Sequence, residues 1–136
     1  DLEETPLVYV EVSNNEDAIS YSRRYRDAAF RWFILEGEEE ILVAAEQWEA
    51  ISEFLQYPKA YDVLSQNLEE PASYGLDPPV TSAKIGREGG GTIEFYLGDL
   101  TPDGNNRYSR VVGDARLYAI PNDWADELTA LAAGPL

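Results

Sequence analysis

The sequence predicts an α+β domain: a mostly antiparallel sheet with two short helices packed on it, each led by a tryptophan. Three observations carry this reading. Apolar and polar residues alternate through several short stretches, which is the period of half-buried strands. Two other stretches repeat every 3.6 residues, one through Trp48, Ile51 and Leu55 and one through Trp124, Leu128 and Leu131. Short runs of Gly, Asn, Asp and Pro separate neighbouring strand patterns, so the strands pair locally as hairpins.

Residues 7–12 read as the first strand, with Val8, Val10 and Val12 on one face, followed by a polar turn over 13–17. Residues 18–25 form the second, with Ile19, Tyr21 and Tyr25 on one face, and residues 30–35 the third, with Phe30, Trp32 and Ile34 alternating. An acidic turn over 36–40 around Gly37 and a short extended piece over 41–43 lead into a helix over 46–57, closed by Pro58. Residues 59–68 fit neither period. Residues 71–79 form a rigid corner, because Pro78 and Pro79 fix φ and bias the residue before each of them away from helix.

The second half reads as a meander. Strands are expected over 80–85, 93–97, 106–112 and 116–120, with a turn over 86–91, a loop over 98–105 and a two-residue turn at Gly113-Asp114. Asn122 or Asp123 is expected to cap the last helix, with Gly134 and Pro135 ending it. The chain reads as a single domain over 1–136 with two halves, 7–68 and 74–134. Each half is several strands ending in a Trp-led helix. Leu55 and Leu131 each lie seven residues after their tryptophan, and Ile41 and Leu117 seven before. This echo fits a two-fold internal structural repeat or a coincidence of short elements.

Composition excludes more chemistry than it suggests. The chain has 136 residues, enough to bury about two-thirds of its unfolded surface without staples. It contains no histidine and no cysteine. Ser-His-Asp and Cys-His nucleophile systems, the usual zinc sites, haem with a His ligand, iron–sulfur clusters and disulfides therefore drop out. No cofactor is expected. Ten basic and 26 acidic residues give a net charge of −16, which repels nucleic acid and anionic lipid. No apolar run approaches the length of a membrane span.

Each candidate site competes with a structural explanation. The Gly-rich run at Gly86 and 89–91 has no helix after it to make a phosphate cradle and reads as a hairpin turn. Asp99, Asp103 and Asn105 share one loop and supply the oxygen ligands that Ca²⁺ prefers, but they are also ordinary turn formers, and the EF-hand pattern is not met. Glu38, Glu39, Glu40, Glu46, Glu49 and Glu53 form an acidic stretch with no base among them, either a solvated face or a docking face for a basic partner. Arg23, Arg24, Arg26 and Arg31 are the dense positive patch, either paired with neighbouring acids or an anion site. Trp32, Trp48 and Trp124 fit core positions.

The corner Tyr74-Gly75-Leu76-Asp77-Pro78-Pro79 carries a resemblance. With Leu97-Gly98, Thr101-Pro102, Tyr108, Leu117-Tyr118 and the Trp124 helix after it, and an Arg-rich strand and Trp32 before it, the chain resembles the bacterial family of domain of unknown function 4340. The resemblance extends over nearly the whole chain. It implies an extracytoplasmic body behind one N-terminal membrane helix. It also implies likeness to auxiliary components of ABC-type transporters of the gliding-motility kind. It supplies no catalytic residues.

The reading that follows is a non-catalytic extracytoplasmic interaction module, accessory to a membrane transporter complex and membrane-anchored through a helix absent from this chain. Its partner is a protein, with transporter subunits the expected ones, and no nucleic acid. The alternative is a small-ligand or cation-binding domain using the loop from Asp99 to Asn105. A weaker alternative is a carboxylate-based hydrolase, which needs two close carboxylates in a cleft with one pKa raised. The corner residues are expected to be structural, with Tyr74 and Leu76 in the core and Gly75→Val destabilising if Gly75 holds a positive φ.

Overall fold

Two meanders joined side by side build one antiparallel sheet. The computed structural model describes residues 6–15, 17–56 and 61–134. The first meander runs β1 (Leu7–Asn14), β2 (Asp17–Arg26), β3 (Ala29–Glu36) and β4 (Glu39–Leu42), and helix α1 (Ala45–Gln56) follows. A short strand, β5 (Asp62–Ser65), and a 3-10 turn at Pro71–Tyr74 lead to the second meander. That one runs β6 (Thr81–Arg87), β7 (Thr92–Leu100), β8 (Asn106–Val111) and β9 (Leu117–Pro121), then α2 (Asn122–Ala130) and a 3-10 turn at Leu131–Ala133. The strand order is β4-β3-β2-β1-β6-β7-β8-β9-β5, with every neighbouring pair antiparallel. The α+β class with a mostly antiparallel sheet and two short helices is thus observed. No helix among the described residues is long and apolar enough to cross a membrane.

Both helices lie on one face of the sheet, because each has an apolar stripe to bury and that face presents one. Trp48, Ile51 and Leu55 of α1 join Trp124, Ala125 and Leu128 of α2 in a core with Val10, Val12, Tyr21, Trp32, Ala83 and Leu97 from the strands. α1 sits over β3, while α2 and its 3-10 turn reach from β8 and β9 across to β1 and β2. Tyr21 is fully buried, and its hydroxyl donates to the carbonyl of Leu131 at 2.9 Å, which satisfies the one polar atom that burial would otherwise orphan.

The corner covers part of the other face. Tyr74 packs edge-on against Tyr108 of β8 with centroids 4.8 Å apart, and Leu76 is 1% exposed. Leu117 and Ala119 of β9, which alternate away from the helical face, are buried as well. Tyr74 is half-buried and Leu76 fully buried, but both lie outside the main core, in which the sequence reading expects them. Gly75 has φ +73°. A Cβ there would collide with the Asp99 carboxyl and come within 2.9 Å of the Asp99 amide nitrogen. A Cβ on Gly98 would run into the Tyr74 carbonyl. Two glycines in direct apposition let the corner lie flat on β7.

Several boundaries differ from the sequence reading, each for a local reason. A bulge between Leu7 and Tyr9 turns Leu7, not Val8, into the core with Val10 and Val12. The acidic turn narrows to Gly37 and Glu38, since Glu39 and Glu40 already pair with β3. The unassigned stretch contains β5, which pairs with β9. Asp99 sits on β7, which continues past Gly98 to Leu100 through a register shift. The connection at Gly113 spans 112–116, longer than two residues, because Asp114 folds back to accept from the Arg116 amide at 3.0 Å. Neither Asn122 nor Asp123 caps α2. Pro121 occupies that position and makes no side-chain cap, while Asp123 Oδ1, inside the first turn, accepts from the Trp124 amide at 2.7 Å. The expected close of α1 near Tyr57 and Pro58, and Pro135, lie outside the described residues.

Candidate functional site

The acidic residues, read as either a solvated face or a docking face, divide between β4 with the turn before it and helix α1. Glu38 lies in the β3–β4 turn and Glu39 and Glu40 on β4. Glu40 is not a free charge: Arg26 grips it with two hydrogen bonds, Nε to Oε1 at 3.1 Å and Nη2 to Oε2 at 2.8 Å, and Arg24 stands 3.6 Å away. Arg23 pairs with Glu88 at 3.2 Å and lies 4.4 Å above the Phe30 ring. The arginine patch is thus engaged by acids and aromatics. Glu46, Glu49 and Glu53 lie along the solvent side of α1, all exposed, opposite the buried Trp48, Ile51 and Leu55.

A hollow of about 450 Å³ opens where α1 meets the sheet edge, lined by Phe30, Arg31, Trp32, Leu42, Val43, Ala45, Trp48, Glu49 and Ser52. Its position follows from strand lengths. β4 pairs with β3 only from Phe33 to Glu36, and Val43 then donates to the Trp32 carbonyl at 2.9 Å, so the start of β3 has no outer neighbour strand. The floor is the stacked pair Trp32 and Trp48. Around the mouth, Tyr25, Phe30 and Leu42 are exposed, with Phe30 at 62%. Tyr25 and Phe30 brace each other edge-to-face at 5.2 Å.

A second hollow, of about 340 Å³, lies at the other end of the sheet. Its walls are Tyr61, Ile93, Phe95, Val111, Tyr118, Ile120 and Trp124, with Ser109 and Asp114 as its other lining residues. Tyr118 donates to Asp114 Oδ2 at 2.5 Å, and Arg116 clamps the same carboxylate from Nε at 3.0 Å and Nη2 at 2.8 Å. These bonds, with that to Arg116 largest, hold Asp114 well below the usual carboxylate range. The carboxylate in turn raises the Tyr118 phenol above its ordinary value, because a donated hydrogen bond favours the protonated form. Asp114, Arg116 and Tyr118 alternate in sequence. That spacing puts Arg116 and Tyr118 on one face of the expected strand over 116–120, but Asp114 falls in the expected turn before it.

In the loop read as an alternative cation site, Asp103 is engaged within the loop itself. Asp103 Oδ1 accepts from Thr101 Oγ1 at 2.7 Å and from the Asn105 amide at 3.0 Å. The Asn105 amide and then the Thr101 hydroxyl lower the Asp103 pKa. Asp99 faces the corner at Gly75. Among the described residues no group of three or more acidic side chains is placed to hold a metal ion.

One family accounts for most of the sequence. Its pattern, described as domain of unknown function (DUF4340), matches residues 32–133. The chain belongs to this family. The match begins at Trp32, so it takes in the corner, the second hollow and most of the α1 hollow, but leaves out Phe30 and Arg31 of that hollow together with β1, β2 and the arginines of β2. No curated protein and no solved structure matches the chain.

Proposed function

We propose that this member of the family is a non-catalytic interaction module, the extracytoplasmic body of a membrane-anchored accessory to an ABC-type transporter complex. The observation that carries it is the hollow at the α1 edge. Large apolar side chains, Tyr25, Phe30 and Leu42, stand exposed around it, and Glu49 of the α1 acidic stripe lines it. Contiguous exposed apolar surface rimmed by charge is how protein-docking sites differ from ordinary surface. The stripe of Glu46, Glu49 and Glu53 selects a basic partner surface.

Affinity capture from gently solubilised membranes tests this reading. The unmodified protein recovers transporter subunits. The triple variant Glu46→Lys, Glu49→Lys, Glu53→Lys, whose changes are exposed and cost within about 0.5 kcal/mol each, does not. Capture of nothing above a mock bait, or equal capture by the variant, counts against it.

We also propose that the two meanders descend from one duplicated unit. Val10 pairs with Tyr21, and Trp48 stands 5.8 Å from the Tyr21 ring. Ala83 pairs with Phe95, and Trp124 stands 6.1 Å from the Phe95 ring. β1 and β6 meet with Val10 opposite Ile85 and Val12 opposite Ala83, a register that is unchanged when the two strands are exchanged. A chain carrying residues 74–134 twice tests it. Cooperative unfolding with a native-like strand signal supports duplication, and an unfolded product counts against it.

A further inference from the structure

We infer that the β5 edge, at the opposite end of the strand order from β4, is a second docking surface that accepts an extended, basic and apolar segment of a partner protein as an added strand. β5 ends the strand order, so the outer side of its backbone has no neighbour strand among the described residues. Exposed edges are commonly blunted by lysine, proline, inward charge, short length or a bulge, and β5 has the last two, being four residues long with a register shift between Val63 and Ser65. Here Tyr61, Val63 and Leu64 are exposed, Tyr61 at 57%, and Asp62 is the one charge between them. At the other edge, half of β4 is glutamate.

The second hollow adjoins this edge on the same face. Val63 pairs with Tyr118, and Tyr61 meets Tyr118 edge-to-face at 5.2 Å, so Tyr61 forms the wall between edge and hollow. A strand laid along β5 sends alternate side chains to that face, where one aromatic or long aliphatic group can enter the hollow. Backbone pairing supplies affinity and the hollow supplies selectivity.

Charge decides the occupant. Residues 61–80 carry Asp62, Glu69, Glu70 and Asp77 and no lysine or arginine. The nearby Arg116 is held by Asp114. A second copy of the chain would bring a net charge of −16 against the same charge. A lysine-bearing apolar segment meets the edge with attraction instead. This surface is separate from the α1 hollow, so either can fail without the other.

The probe is a short synthetic peptide alternating Val and Lys around one central Phe, added to the whole protein. Binding is read by the change in total tryptophan fluorescence, and its place by amide exchange at 61–65, since Trp32 and Trp48 emit as well as Trp124. The expected result is saturable binding that slows exchange at 61–65 and weakens with salt. The analogue with Glu in place of Lys, and the analogue N-methylated on alternate amides, should each bind roughly tenfold more weakly or worse. Val63→Lys should lose binding to the same degree. If that variant does not fold, the N-methylated analogue decides alone. The inference is overturned if the Lys and Glu peptides bind equally, if N-methylation has no effect, or if no peptide binds. It is also overturned if the unmodified protein dimerises through this edge, or if a free aromatic compound fills the hollow as tightly as the peptide.

Discussion

Trp48 of α1 lies flat on Trp32 of β3, ring centroids 3.8 Å apart and planes 18° from parallel. This contact fixes α1 on the first meander and makes the floor of the α1 hollow. Trp48→Ala is expected to cost about 3–5 kcal/mol, the range for removing a buried aromatic. Urea unfolding measures it. A loss below about 1 kcal/mol, the ordinary effect of a single substitution, would mean that the stack is incidental to stability.

The corner makes a sharper claim about two glycines. At Gly75, valine adds both positive-φ strain of roughly 1–3 kcal/mol and overpacking against Asp99 of similar size. At Gly98, alanine meets the Tyr74 carbonyl. Gly37 is the control: its φ is +61°, but nothing lies within 4 Å of a Cβ there. Gly37→Ala should cost only about 1 kcal/mol. Equal melting temperatures for Gly37→Ala and Gly75→Val would show that the close approach to β7 is not required.

The β2–β3 hairpin turns through Asp27 at φ +54° and Ala28 at φ +66°. Two consecutive positive φ values are the signature of a type I′ turn, which favours Asn-Gly. Ala28→Gly should therefore stabilise the protein, by less than about 1 kcal/mol because glycine also loses more entropy on folding. A lower midpoint in thermal unfolding would contradict the turn assignment.

Alkaline stability should follow Tyr21. Burial pushes its pKa up to about 12 from 10.0. The folded state thus keeps a proton that the unfolded state gives up first. The resulting stability is complete below pH 10 and is lost as pH rises through about 12. It amounts to roughly 2–3 kcal/mol at most. Tyr21→Phe should flatten that part of the pH profile, and an unchanged slope would assign it to other tyrosines.

Asp114→Asn should lower the Tyr118 phenol toward its ordinary value, because the carboxylate that stabilises the protonated phenol is gone. The difference between the ultraviolet titrations of Asp114→Asn with and without Tyr118→Phe reads this, since the chain has nine tyrosines. Acid has the opposite role for Asp114 itself. Its folded pKa lies below the unfolded one, so the stability it lends is present above the ordinary carboxylate range and fades as pH falls through the folded value.

How much of this was legible in the sequence depends on the range of the interaction involved. Trp48 with Leu55 and Trp124 with Leu131 announce helix faces within one stretch of chain, so the helices and the core tryptophans are readable. The corner is readable too, since Gly75 with its two prolines carries its own backbone restrictions. β5 is not readable, because Asp62, Val63 and Leu64 become a strand only when β9 arrives from the other half of the chain. The bulge that swaps Leu7 for Val8 is set by pairing with β6. The capture of Glu40 by Arg26 depends on β2 and β4 both folding against β3, which lies between them. Both hollows are products of such long-range pairing, so the acidic stripe was visible in sequence and the apolar mouth beside it was not.

The most direct test of the interaction module is site-specific photo-crosslinking in intact membrane vesicles. A crosslinking side chain replaces Glu49 in one sample and Gly37, in the β3–β4 turn, in another. Both samples must carry a folded protein at equal abundance. The proposal predicts a product with a transporter subunit from position 49 that disappears when Glu46 and Glu53 are reversed to lysine. No product from position 49, or the same product after charge reversal, would contradict it.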